Sequence, residues 1–189
     1  VDCLVQDLSC VLLCGGQSKR MQIEGQQFNK ALLPFKYTTL LEYQYTRLQQ
    51  WFKEVYISCK QPYPLQARYL TEPSTHFNPL FGMAHALSSL KAPMVFIPVD
   101  MPFIRQESLL KLYDNREKAP LIYLKSPKTF YLPSLCQPSA LGFLQEALKS
   151  AEQRVGAVFE KIGFSVAVAE SKEFSNLNTY SDYLRALNG

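Results

Sequence analysis

The stretch CVLLCGGQSKRM, residues 10–21, decides the reading of this chain. From Cys10 to Cys14 it is apolar without interruption. A parallel strand covered on both faces needs such a run, whereas a strand with one wet face alternates. Two glycines follow at once, so backbone N–H groups can approach a ligand with no Cβ in the way. Lys19 and Arg20 come next, then a polar loop that reaches Asn29 and Lys30. A strand ending in glycines and cations points to phosphate binding: clustered N–H groups receive the anion and mobile side chains add charge. The loop contains neither G-x-x-x-x-G-K-[ST] nor G-x-G-x-x-G, so it is not an ATPase P-loop or the usual dinucleotide fingerprint.

Outward from this stretch, strand-like and helix-like runs alternate. Apolar, β-branched or aromatic runs at residues 10–14, 54–59, 67–70, 93–99, 121–125, 130–135 and 165–169 read as strands. Helical spacing of apolar residues occupies 40–52, 82–90, 106–115, 139–150 and 179–187, with Thr179 as N-cap of the last. Two strand-like runs flank Ser126-Pro127-Lys128, which implies a hairpin. Such alternation specifies an α/β fold with a mainly parallel sheet. Ligands then bind at the carboxyl ends of the strands, just after Cys14, Cys59, Leu70 and Val99.

The 189 residues are expected to form a single domain spanning 1–189, long enough to bury a core without disulfide or metal staples. The net charge of +4 is too mild for a nucleic-acid binder. Most of it lies between Gly15 and Lys36, where Lys19, Arg20, Lys30 and Lys36 face Glu24 alone, a local charge of +3. The five cysteines are odd in number and show no C-x-x-C, so reduced thiols in a cytoplasmic protein are expected. No apolar run approaches the roughly 18 residues of a membrane span. The start VDCLVQDL has no basic n-region, so no signal peptide is expected.

Three further positions are candidates for chemistry. Asp100, in PVDMPF, ends an apolar run where an unpaired carboxylate is costly. It is either a ligand of Mg2+, which takes one or two carboxylates with substrate phosphates, or the N-cap of a following helix. Gly82, in NPLFGMAHAL, is either a place where a ribose or base lies against the backbone or a loop–helix junction. Asn178, in FSNLNTYSDYL, either caps a helix or reaches a phosphate or metal. His85 reads as an ordinary helix-face residue, and no Cys/His cluster has zinc spacing.

These elements occur together and in order. LLCGGQSKRM with the later Asn29-Lys30, then NPLFG, PVDMPF and NLNTYSDY, resemble the molybdenum-cofactor guanylyltransferases, the MobA family. That family's usual motifs are roughly L-A-G-G-x-S-x-R-M-G-x-D-K, G-P-L-x-G, P-C-D-x-P and N-x-N-T-P-E-D. The likeness covers about residues 10–187. Departures are Cys14 for Ala, Gln22 for Gly, a longer stretch before Lys30, Asn29 for Asp, Asn78 for Gly and Val99 for Cys. The resemblance implies a three-layer Rossmann-like nucleotidyltransferase fold with a mainly parallel, mixed sheet. It implies transfer of GMP from GTP to molybdenum-molybdopterin, with Mg2+, forming the guanine dinucleotide cofactor and pyrophosphate. Leu13, Cys14, Gly15, Gly16, Ser58, Glu72 and Gly82 would bind nucleotide. Arg20 and Lys30 would hold phosphates, Asp100 would bind Mg2+ and nucleotide, and Asn178 would stand near the metal. Molybdoenzymes or their chaperones would receive the product. A cytidylyl or sugar-phosphate nucleotidyltransferase is the alternative, as is an inactive nucleotide-binding regulator on the same fold.

Overall fold

The computed structural model describes residues 7–16, 20–23, 25–127, 129–150 and 153–188. Seven strands form one sheet: β1 (Ser9–Leu13), β2 (Glu54–Cys59), β3 (Arg68–Thr71), β4 (Met94–Pro98), β5 (Leu121–Lys125), β6 (Phe130–Cys136) and β7 (Gly163–Ala167). Their order is β7-β5-β6-β4-β1-β2-β3. All neighbours are parallel except β6, which runs antiparallel to both β4 and β5. The hairpin expected around Ser126-Pro127 is thus the β5–β6 connection. Its register slips between Tyr131 and Ser134, across Pro133, a residue with no N–H to give to the ladder.

The period-2 alternation of side chains divides the core into two halves. From β1, Cys10 and Leu12 enter one half and Val11 and Leu13 the other. Likewise Val95 and Ile97 of β4 face away from Met94 and Phe96. Helices α1 (Leu40–Gln49) and α3 (Gln106–Asp114) cover the first half. The opposite half is covered by α2 (Pro79–Leu90), α4 (Ala140–Lys149) and α5 (Val155–Ile162). The last helix, α6 (Tyr180–Leu187), adds Tyr183 to the first half. The architecture is therefore three-layered, as expected.

The helix over residues 155–162 is absent from the sequence reading, and α2 begins three residues earlier than its apolar spacing indicates. Asn78 explains the second difference. Its Oδ1 accepts from Leu80 N at 3.0 Å, and Pro79 takes the first helical position, where no N–H is required. Thr179 caps α6 as expected, in a reciprocal pairing with Asp182. The described cysteines, Cys10, Cys14, Cys59 and Cys136, are free and buried; Cys3 lies outside the described residues.

Strand order fixes where a ligand can enter. β1 is followed in the chain by β2 on one side, and β4 joins it on the other. The loops leaving β1 and β4 therefore part in opposite directions and open a crevice at their carboxyl ends.

Candidate active site

The crevice holds a cavity of about 230 Å³. The β1 end contributes Leu13, Cys14, Gly15 and Gly16, and the β4 end Pro98, Val99 and Asp100. Lys30 enters from a 3-10 turn, Lys30–Leu32, whose N-cap Asn29 accepts from Ala31 N at 3.1 Å. The turn aims Lys30 across the crevice, where its Nζ lies 2.5 Å from Asp100 Oδ2. Both side chains are 15% exposed, enough to meet a ligand and too little for water to screen the pair fully.

Asp100 is not a helix cap. The next helix, α3, starts at Gln106 with Arg105 at its N-cap, and Asp100 lies on the cavity instead. The segment holding Asp100 is braced from three sides. Val99 N donates to Leu13 O at 3.1 Å, and Leu177 N donates to Asp100 O at 2.8 Å. From α1, Gln44 Nε2 donates to Val99 O at 3.3 Å and the Arg47 guanidinium to Pro102 O at 2.5 Å. Gln44 is wholly buried. A polar residue on an apolar helical stripe was the available sign of this brace, and the sequence reading passed over it.

Glu72 closes the other wall. It is 8% exposed, and its carboxylate accepts from Ser58 Oγ at 2.8 Å and from Lys60 Nζ at 2.6 Å. A buried carboxylate needs such partners to stay charged. Ser58 is wholly buried and stands behind Glu72, away from the cavity surface. Gly82 also stands behind it: a Cβ there would meet Glu72 Oε1 and Ser58 Oγ at 2.8 Å. Its missing side chain lets α2 approach the ends of β2 and β3. Both residues position Glu72, and neither lines the cavity.

Asn176 and Asn178 line the cavity beside Asp100. Capping of α6 falls to Thr179, which leaves the Asn178 side chain to the cavity. Arg20 is exposed and does not line the cavity, while Lys19 lies outside the described residues. Cys14 is buried, which holds its thiol well above the usual range and therefore neutral. Tyr63 donates to Cys14 O at 3.3 Å; burial pushes its phenol up to about 12, so it remains a donor. Lys60, Phe77 and Asn176 line this cavity or the one beside it and were given no role in the sequence reading, and Asn29 was noted only as a motif position.

A model of the MobA-like NTP transferase domain matches residues 10–165. A Helicobacter pylori protein named molybdenum cofactor guanylyltransferase is 44% identical over 186 residues, covering 95% of this chain and 92% of that one. The chain belongs to the molybdenum cofactor guanylyltransferases, within the MobA-like NTP transferases. A Campylobacter jejuni enzyme of the same name is 31% identical over 191 residues, with 95% of each covered. Among solved structures, the molybdopterin-guanine dinucleotide biosynthesis protein A of Archaeoglobus fulgidus superposes with a TM-score of 0.79 at 20% identity, covering 96% of this chain and 97% of that one. This likeness supports the fold. As a nucleotidyltransferase of this family, the chain places Gly15, Gly16, Lys30 and Asp100 on one cavity at the sheet's switch point.

Oxygen donors of the cavity fit a hard divalent cation. Asp100, with a carboxylate, and Asn176 and Asn178, with amide groups, line the same cavity. Among the described residues no group of three or more His, Cys, Asp and Glu could hold a metal by itself.

Proposed function

We propose that this cavity moves GMP from GTP to molybdenum-bearing molybdopterin, giving the guanine dinucleotide cofactor and pyrophosphate in the cytoplasm. The observation that carries the reading is the Lys30–Asp100 pair, set across a glycine-lined crevice in a chain of this family.

A phosphate oxygen of the pterin attacks the α-phosphorus of GTP. The new P–O bond forms as the bond to the β-phosphate oxygen breaks, and the electron pair leaves with pyrophosphate. The nucleophile is already an anion, so no strong general base is needed. The work of the protein is positioning and neutralisation. Gly15 and Gly16 let backbone N–H groups face the triphosphate. Lys30 neutralises phosphate charge, and Arg20, outside the cavity, meets the phosphate tail or the incoming acceptor. Asp100, with Asn176 and Asn178, would hold Mg2+. When bound, that ion offsets charge on the phosphates and polarises the reacting phosphorus. The Glu72 carboxylate faces the cavity as an acceptor, complementary to the N1–H and 2-amino donors of guanine.

The test is turnover with purified chain, molybdenum-loaded molybdopterin and Mg2+, supplied with GTP or CTP. GTP should yield one pyrophosphate per guanine dinucleotide. Preference for CTP, or nucleotide binding without pyrophosphate release, overturns the reading.

A further inference from the structure

Lys60 is the first residue after β2, at the end of the sheet where ligands bind. Its ammonium donates to Glu72 Oε2 at 2.6 Å and to Ser74 O at 2.7 Å. An ammonium has three protons, so two anchors leave one donor for a ligand. Lys60 lines a second basin of about 350 Å³ beside the first; the two share Cys14, Gly15, Gly16, Asn29 and Phe77. Its side chain is 21% exposed.

Phe77 stands between the basins with half its surface in water, an unfavourable exposure for a large apolar ring. Its centroid is 5.6 Å from Lys60 Nζ. Leu32, 42% exposed, lines the second basin with Phe77. A planar heterocycle laid on Phe77 would cover the ring and bring one edge to the anchored ammonium. That edge must carry an acceptor. Guanine has its 6-oxo group there, whereas adenine has a 6-amino donor, which an ammonium cannot satisfy.

We propose that Lys60 is a specificity-determining residue of the nucleotide site: Phe77 carries the purine, and Lys60, held by Glu72 and Ser74, donates its remaining proton to the 6-oxo group. This rests on the guanylyl reading above. Adenine is refused because two donors would face each other out of water, which leaves both unpaired.

The test is equilibrium binding of GTP, 6-thio-GTP, ATP and CTP to the full chain, without acceptor. 6-Thio-GTP keeps the N1–H and 2-amino groups but puts sulfur, a weak acceptor, at position 6. The wild type should hold it about tenfold more weakly than GTP, and ATP more weakly still. In Lys60→Met the gap between GTP and 6-thio-GTP should close, because GTP weakens and the thio analogue barely changes. Lys60→Arg should keep much of the gap, and Phe77→Ala should weaken both guanine nucleotides by a common factor. Thermal unfolding verifies that each variant is folded, and the wild-type comparison stands even if Lys60→Met is not. Equal wild-type affinity for GTP and 6-thio-GTP, or a gap that persists in folded Lys60→Met, overturns the proposal alone. Wild-type preference for CTP over GTP overturns the guanylyl reading instead.

Discussion

Asp100→Asn, compared with Lys30→Met and with the double variant, separates the two things the ion pair does. Asparagine keeps the size of aspartate and can still accept a hydrogen bond, but it removes the carboxylate charge that Lys30 meets at 2.5 Å. Exposed ion pairs contribute about 0–1 kcal/mol, and breaking a fully buried one costs about 3–5 kcal/mol. At 15% exposure on both sides and 2.5 Å separation, this pair belongs between those limits. A loss of about 2 kcal/mol is expected, roughly 4–8 °C in melting temperature for a domain of this size. From sequence alone, Asp100 is a carboxylate stranded at a strand end, and removing its charge should leave stability unchanged or improve it. Lys30 reverses that expectation. Lys30→Met should cost a similar amount, and the double variant much less than the sum, a coupling of about 1–2 kcal/mol. Activity should behave differently. Each single variant should lose about 2–4 kcal/mol of transition-state stabilisation, a hundredfold or more in turnover, and the double variant should recover none of it. Thermal unfolding and magnesium-dependent pyrophosphate release on the same preparations are the assays. Additive stability losses would show that the pair is not coupled in solution. Near wild-type turnover in Asp100→Asn would remove it from the reaction altogether.

Two other outcomes follow from the geometry. Gly82→Ala should cost about 2 kcal/mol, or roughly 4–8 °C, because its Cβ would press on Glu72 and Ser58, and it should also weaken GTP binding measured by titration. The Asp182 carboxyl is held below its ordinary value of 3.8, first by the Thr179 hydroxyl and also by Arg185. Its contribution is therefore fully present above about pH 4 and is lost as the pH falls through the lowered folded value. Melting curves of wild type and Asp182→Asn should accordingly differ at neutral pH and converge in acid; a constant difference down to about pH 2.5 would exclude this linkage.

How much could be read in advance differed between strands and site. Every sheet strand was legible within a residue or two: β1 and β4 as unbroken apolar runs buried on both faces, the others as short β-branched or aromatic runs between turn residues. Helix α5 was not: Gly156 sits inside it, and that glycine is needed for close contact with Phe130, a partner in β6 that local sequence does not reveal. Lys30 and Asp100 were each singled out, but their pairing, 70 residues apart, depends on topology. Glu72 was placed correctly at a strand end, while its dependence on Lys60 and Ser58 required knowing that β2 and β3 are neighbours. Gly82 was left between a ligand contact and a loop–helix junction; it lies inside α2 against Glu72 and Ser58, and a glycine looks the same in sequence whether it admits a nucleotide or a carboxylate.

Leu177 N–H holds the carbonyl of Asp100, Glu173 accepts from Arg105 N and Ser108 Oγ at 3.1 Å each, and the Tyr183 hydroxyl donates to Pro34 O. These contacts clasp the loops after β4 and Lys30 with a segment that lies beyond residue 165, where the family match stops. Each spans 65 or more residues of chain, so each closes a long loop and is slow to form. The sheet can thus gather before its reactive end is finished. A half-folded chain would have strands and glycines but no fixed Asp100, and so little grip on nucleotide. Triphosphate would then favour the finished fold over every partly folded competitor, and the substrate itself would act as the last quality check on the enzyme's own assembly.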